Sequence, residues 1–186
     1  MSNVTATLGA GYPREVETER LLLRQFRESD FEAYVQLMST PELLYFLNRG
    51  ADRTRDELWR NMTFHAGNWC IRGYGLWAIE LKETKELIGR AGVWFPEGWP
   101  EIEAAWAIDP RHWGRGYATE AGREALRQAF GVLSLDHIIS LIDPDNTASR
   151  RVAEKLGGTV ERRALFQDHD TLFYGYAAGV RNRWRE

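Results

Sequence analysis

Arg111-His112-Trp113-Gly114-Arg115-Gly116-Tyr117-Ala118 is the stretch on which the fold turns. It follows a strand-like segment ending at Asp109-Pro110. It runs into a helical pattern whose apolar positions are 118, 121, 125, 126, 129 and 130. A strand, a glycine-bearing loop and an amphipathic helix in that order expose several main-chain N–H groups at a helix N-terminus. The helix dipole favours negative charge at the same place. Gly114 and Gly116 matter because a Cβ there restricts both the backbone angles and the approach of an anion. The stretch reads as a main-chain cradle for a phosphate or pyrophosphate.

Working outward, Glu101 to Ile108 is the strand that feeds the loop, and Pro96 to Pro100 is a turn before it. Gly75 to Leu81 and Leu87 to Phe95 form a hairpin across Lys82 to Glu86. Upstream, Thr54-Arg55-Asp56-Glu57 is a capping box that opens a helix with Leu58, Met62, His65 and Trp69 on its apolar face. His65 reads as a satisfied core-edge histidine. Ser29-Asp30-Phe31-Glu32 has the same capping pattern, ahead of Phe31, Tyr34, Val35 and Met38, and Thr40-Pro41 starts a short helical piece. Thr18 to Arg24 is the first strand. Residues 1–17, with Gly9, Gly11 and Pro13, read as a flexible leader to a single domain over 18–186. Beyond the glycine loop come a nearly continuous apolar strand, His137 to Ile142, and a helix, Asp145 to Leu156, with Ala148, Val152 and Leu156 inward. Strands over Thr159 to Leu165 and Thr171 to Ala177 close the chain.

The composition narrows the function classes. With 186 residues, 44% hydrophobic and eight tryptophans, there is ample material for one full core. A net charge of −3 argues against duplex nucleic acid as a partner. The single cysteine, Cys70, reads as a small buried apolar residue, and four scattered histidines give no metal-ligand spacing, so no metal is expected. With no apolar run of 18 residues and no signal-peptide pattern, a soluble cytoplasmic protein without a membrane partner is expected, monomer or homodimer.

Three phosphate-bearing ligands compete for the loop. A dinucleotide fits poorly, because Thr119 stands where the Rossmann fingerprint has its third glycine and five residues separate Ile108 from Gly114. A nucleoside triphosphate lacks its Gly-Lys-Ser/Thr signature. Coenzyme A remains. Arg111-x-x-Gly114-x-Gly116-x-Ala118 is similar to the acetyl-CoA signature of the GNAT N-acetyltransferases. Thr18-Glu19-Arg20-Leu21-x-Leu23-Arg24, Trp113 to Ala121, and Asn146-x-x-Ser149-x-x-Val152-x-Glu154-Lys155-Leu156-Gly157 resemble the ribosomal-protein N-terminal acetyltransferase (RimJ/RimL-like) branch.

The resemblance implies an α/β (α+β) fold, a mixed, mostly antiparallel sheet of about seven strands splayed at its middle and flanked by about four helices. It implies acetyl-CoA as co-substrate and a protein N-terminus or small amine as acceptor. Main chain around Trp106, Ala107 and Ile108 would pair with the pantetheine arm. N–H groups from Arg111 through Trp113, Gly114, Arg115, Gly116 and Tyr117 to Ala118 and Thr119 would hold the pyrophosphate, with Arg111 and Arg115 adding charge, or Arg115 standing as a solvated surface residue. Asn146 would bond the pantetheine side, or serve as a plain N-cap.

The resemblance implies Glu103 as general base, since it matches the glutamate that the branch often carries just before a Gly-Tyr pair, here Ala105-Trp106; Glu101 is its rival, on the same face by strand alternation. Either is also readable as a solvated edge charge. The tyrosine acid common in the family is replaced by Ala153, which leaves Ser149 as the candidate proton donor, against a purely structural role. Gly158, where an aromatic is common, is a second departure, expected to loosen packing near the acceptor. Phe46, Trp94, Phe95 and Trp99 are candidate pocket walls, with Glu97 or Glu101 to meet a cation; core packing explains Trp94 and Phe95 as well, because neighbouring strand residues face opposite sides. Two other functions compete: a non-catalytic acyl-CoA-binding or regulatory domain, and a nicotinamide oxidoreductase.

Overall fold

The computed structural model describes residues 11–48 and 50–177. Its elements in order are β1 (Glu15–Glu17), β2 (Leu21–Arg24), α1 (Phe31–Met38), α2 (Pro41–Asn48), α3 (Arg55–Arg72), β3 (Leu76–Leu81), β4 (Leu87–Trp94), β5 (Glu103–Ile108), α4 (Tyr117–Gly131), β6 (His137–Ile142), α5 (Thr147–Lys155), β7 (Thr159–Phe166) and β8 (His169–Ala177). One sheet runs β1-β2-β3-β4-β5-β6-β8-β7. Every neighbouring pair is antiparallel except β5 and β6. The mixed, mostly antiparallel architecture is the one expected, with eight strands and five α-helices among the described residues.

The additional strand lies in the stretch expected to be a leader. That expectation fails for residues 11–17, because β1 pairs with β2 from Glu15↔Arg24 to Glu17↔Leu22. Tyr12 is buried and stacks on Trp77 at 4.7 Å between ring centroids. Three residues are too few for a periodic signal, and one aromatic ring anchors them. Residues 1–10, and 178–186 of the expected domain, lie outside the described residues.

The two sheet faces bury different helices. Tyr34, Leu37 and Met38 of α1, Leu43 of α2, and Leu58 and Met62 of α3 pack on Ala78, Leu87 and Ala107. On the other face Ala121, Ala125, Leu126, Ala129 and Phe130 of α4, with Ala153 and Leu156, meet Ile79, Ile88, Val93, Ile108 and Ile138. The box at Thr54 forms, and Glu57 completes it.

Three local readings need correction. Ser29 does not cap α1; the Asp30 carboxylate instead takes the buried Arg24 guanidinium at 2.8 Å and the Arg27 amide at 2.7 Å. Cys70 is exposed, because it follows the inward-facing Trp69 around the helix. In α5, Ala153 rather than Ala148 points inward, the phase being set by the Asn146 cap. Among the described residues no helix is long and apolar enough to cross a membrane.

Between β5 and β6 the sheet comes apart. Their pairing is a single bridge, Glu103↔Ile139, whereas β5 pairs with β4 along its whole length. Ile139 N–H donates to Ile102 O at 3.0 Å. The next parallel rung would join Leu141 N–H to Ala104 O. Instead the Ser140 hydroxyl takes Ala104 O at 2.5 Å, and Leu141 N–H turns to Glu103 Oε1 at 3.4 Å. Past that point β5 has an open edge.

Candidate active site

The open edge meets the glycine loop. Gly114 and Gly116 sit at φ +75° and +83°, a conformation that glycine adopts without strain, and Gly116 is the N-cap of α4. No side chain caps that helix. The amides of Arg111, His112 and Trp113 are already used by the short 3-10 turn over Pro110–His112, donating to Asp109 Oδ1, Asp109 O and Pro110 O. From Gly114 to Thr119 the amides have no protein acceptor among the described residues. A cavity of about 370 Å³ opens over them, lined also by Trp106 to Ile108, Leu43, Phe46, Asn146, Ser149, Arg151 and Lys155. Aligned orphan donors at the positive end of a 15-residue helix suit a diphosphate.

Along β5, alternate residues face β4 and the gap. Asp109 N–H donates to Ile88 O, so 103, 105 and 107 point their peptide groups at β4, and 104, 106 and 108 at the gap. Ser140 occupies Ala104 O and the Trp113 indole occupies Ile108 O at 2.7 Å. Trp106 is left with both its N–H and its C=O open to the cavity, placed to pair with an extended amide-bearing arm.

A second cavity, about 120 Å³, adjoins the first and shares Phe46, Leu47, Trp106, Asn146 and Ser149 with it. Glu103 is at its base, 7% exposed, on the same face as Trp94, its partner in register. Its Oε2 accepts from the Trp94 indole at 2.8 Å and the Trp99 indole at 2.6 Å. Burial raises its pKa to about 7, a rise limited by those two hydrogen bonds, by Leu141 N–H and by the Arg90 charge.

A family model for the acetyltransferase (GNAT) domain matches residues 20–159. This chain belongs to the GNAT acetyltransferases. It is 32% identical to the uncharacterized N-acetyltransferase YoaA of Bacillus subtilis over 167 residues, 86% of this chain and 94% of that protein. A crystal structure of an acetyltransferase from Agrobacterium tumefaciens superposes with a TM-score of 0.79 at 33% identity, covering 95% of this chain and 98% of that one. An aminoglycoside acetyltransferase in complex with coenzyme A shares the fold at 17% identity, with a TM-score of 0.74 over 89% of this chain and 99% of that one. The chain is thus an acetyltransferase, in a family that uses acetyl-CoA.

Within this GNAT fold the expected site residues divide. Trp106, Ala107, Ile108, Trp113, Gly114, Gly116, Tyr117, Ala118, Thr119, Asn146 and Ser149 line the larger cavity. Arg111 does not; its guanidinium is held by Asp109 at 2.7 Å and Glu86 at 3.1 Å. Arg115 is exposed and outside the lining; its carbonyl takes the Arg20 guanidinium at 2.8 Å. The cationic side chains at the rim are Arg151 and Lys155, one and two turns into α5. Asn146 is an N-cap, accepting from Ser149 N–H at 3.0 Å, and lines the cavity as well.

Glu101 does not share the Glu103 cavity. It lies before β5 and accepts from His137 at 2.7 Å. Phe95 turns to the other face, under Arg72, and Glu97 is exposed. Gly158 loosens nothing: a Cβ there would come within 2.6 Å of the Tyr176 ring, which fills the space. Sequence reasoning passed over Arg90 and the buried His112. The signal for Arg90 was a lone charge in the apolar run Leu87 to Trp94.

Proposed function

We propose that the enzyme transfers the acetyl group of acetyl-CoA to a primary amine by direct attack on the thioester, with Glu103 as base. The observation that carries this reading is the junction of two cavities, one floored by the orphan amides from Gly114 to Thr119 and the other by a carboxyl whose pKa is about 7. An alkyl ammonium must lose a proton before it attacks, and a carboxylate ionised near neutral pH can take it, directly or through water. As the nitrogen bonds to the acyl carbon, the oxyanion takes a main-chain donor of the open edge, such as Trp106 N–H, which has no protein acceptor among the described residues. The C–S bond then breaks and the thiolate collects a proton from Ser149 or from water, since Ala153 is buried and offers none. The RimJ/RimL-like motifs favour a protein N-terminus or a small amine as acceptor.

Release of free thiol from acetyl-CoA, followed with a colorimetric thiol reagent over a panel of N-terminal peptides and small amines, tests the proposal. Amine-dependent release with stoichiometric acetyl-amine supports it. Tight binding of coenzyme A with no turnover across the panel assigns the chain to the non-catalytic acyl-CoA-binding class instead.

A further inference from the structure

The fold buries two arginines of the sheet and treats them in opposite ways. Arg24, 4% exposed, is neutralised by Asp30 and Glu80, each at 2.8 Å. Arg90, 8% exposed, has no carboxylate within ion-pair distance among the described residues. Its Nη1 contacts Tyr34 Oη at 3.1 Å, Asn61 Oδ1 at 3.3 Å and His65 Nε2. All three are neutral, since burial holds His65 well below the usual histidine range, with Arg90 and Arg53 adding to the effect, and burial raises the Tyr34 hydroxyl. No hydrogen-bond partner is found for Nε or Nη2 among the described residues, and Arg90 lines the Glu103 cavity. An arginine cannot shed its proton to escape burial. A buried cation whose hydrogen-bond partners are all neutral, and whose charge meets only the partly ionised Glu103 carboxyl across the cavity, is costly unless a counter-ion arrives.

We propose that this counter-ion is the carboxylate of the acceptor, so that the substrate class is a small molecule carrying both a primary amine and a carboxylate. This deepens the transferase reading and rests on it. Arg90 and Glu103 share one sheet face: Trp94 is the register partner of Glu103, and Arg90 lies four residues back along β4 opposite Ala107. That sets their rungs about 13 Å apart at about 3.3 Å per residue, and the Arg90 charge still acts on the Glu103 carboxyl. Gly92 and Ala105 form the rung between them on this face and leave it free of bulk. The walls are Phe46, Leu47, Leu76 and Trp94. Asp143 is the remaining charged group of the lining, and it accepts from Asp145 N–H at the end of β6. Arg53 strengthens the positive field around the Arg90 end. An amine docks at Glu103, and the anion it carries docks at Arg90. A polyamine would instead place a second cation beside Arg90.

Matched acceptors decide the matter: free amino acids against their amides and their decarboxylated amines, in the thiol-release assay, with the parent, Arg90→Lys and Arg90→Met. The parent is expected to favour acids over amides in kcat/KM by about tenfold to a hundredfold, the range for a hydrogen bond to a charged group. Arg90→Met should raise KM for the acid at least tenfold, leave the amide within about threefold, and keep coenzyme A affinity within about twofold. Arg90→Lys should recover part of the preference. Amides or polyamines used as well as acids by the parent would overturn the inference while leaving the transferase intact, and so would a loss of coenzyme A affinity in Arg90→Met. No turnover with any amine would sink the transferase reading and this inference with it. If Arg90→Met does not fold, the acid-to-amide ratio of the parent alone settles the question.

Discussion

The Glu103 carboxyl, pushed up to about 7 by burial, is half ionised near neutral pH, which suits a base and costs stability. Two outcomes follow for Glu103→Gln. Its kcat/KM should fall by about a hundredfold to ten-thousandfold, with coenzyme A affinity unchanged, and the acidic limb near pH 7 should vanish from its pH–rate profile. An unaltered limb would move the base elsewhere. The folded carboxyl also holds its proton above the ordinary value of 4.5, so stability is full below about 4.5 and declines as pH rises through about 7. The stability of Glu103→Gln relative to the parent should therefore grow between pH 5 and 8, by up to about 3 kcal/mol, measured by urea denaturation at each pH. A constant difference would mean that the carboxyl is not held neutral. The motif points to this residue, whereas alternation alone leaves Glu101 as a rival. What separates them is a contact with His137, 36 residues on, and two indole donors, and strand periodicity carries neither.

At the scale of elements, the glycine loop was readable because its need is local: a left-handed turn and a bare helix start, both written in adjacent residues. Its buttress was not. The opening Thr18-Glu19-Arg20 motif matches the family without revealing why. In the fold, Glu120 in the first turn of α4 accepts from Thr18 Oγ1 at 2.5 Å, Arg20 N–H at 2.9 Å and Arg20 Nε at 2.7 Å. The same guanidinium grips Arg115 O and lies over the Tyr117 ring at 4.6 Å. Arg111 was read as a charge for the ligand, and Arg115 as that or a solvated surface residue; in the fold Arg111 is absorbed by Asp109 and Glu86, and the exposed Arg115 contributes its carbonyl. Gly114→Val should weaken coenzyme A binding at least tenfold by calorimetry, because the branched side chain rises into the cradle. Gly98→Val is the control, with φ +83° and open space around it. Both substitutions should cost about 1–3 kcal/mol of stability from backbone strain. Equal affinities in the two variants would mean that strain, not the cradle, explains any loss.

The molecule as a whole is a sheet interrupted at one seam, and its strands could be read from periodicity while its opening was expected from the family resemblance alone. Periodicity reports which residues are buried, and β5 and β6 are apolar whether or not they pair. The separation depends on Ser140 taking Ala104 O and on Trp113 taking Ile108 O, substitutions for rungs that no pattern in the chain announces. With β4 and β5 on one side and β6, β8 and β7 on the other, a ligand lying in the seam bridges two half-sheets. Its binding energy becomes folding energy by mass action. Coenzyme A at a hundred times its Kd should stabilise the domain by about 2.7 kcal/mol. For a domain of this size that raises Tm by about 5–10 °C. The gain should be spatially uneven: hydrogen exchange should slow most at Trp106 and from Gly114 to Thr119, whose amides lack a protein acceptor. Ala105 and Ala107, already tied to β4, should change little. A higher Tm with protection spread evenly over the sheet would place the ligand somewhere other than the seam.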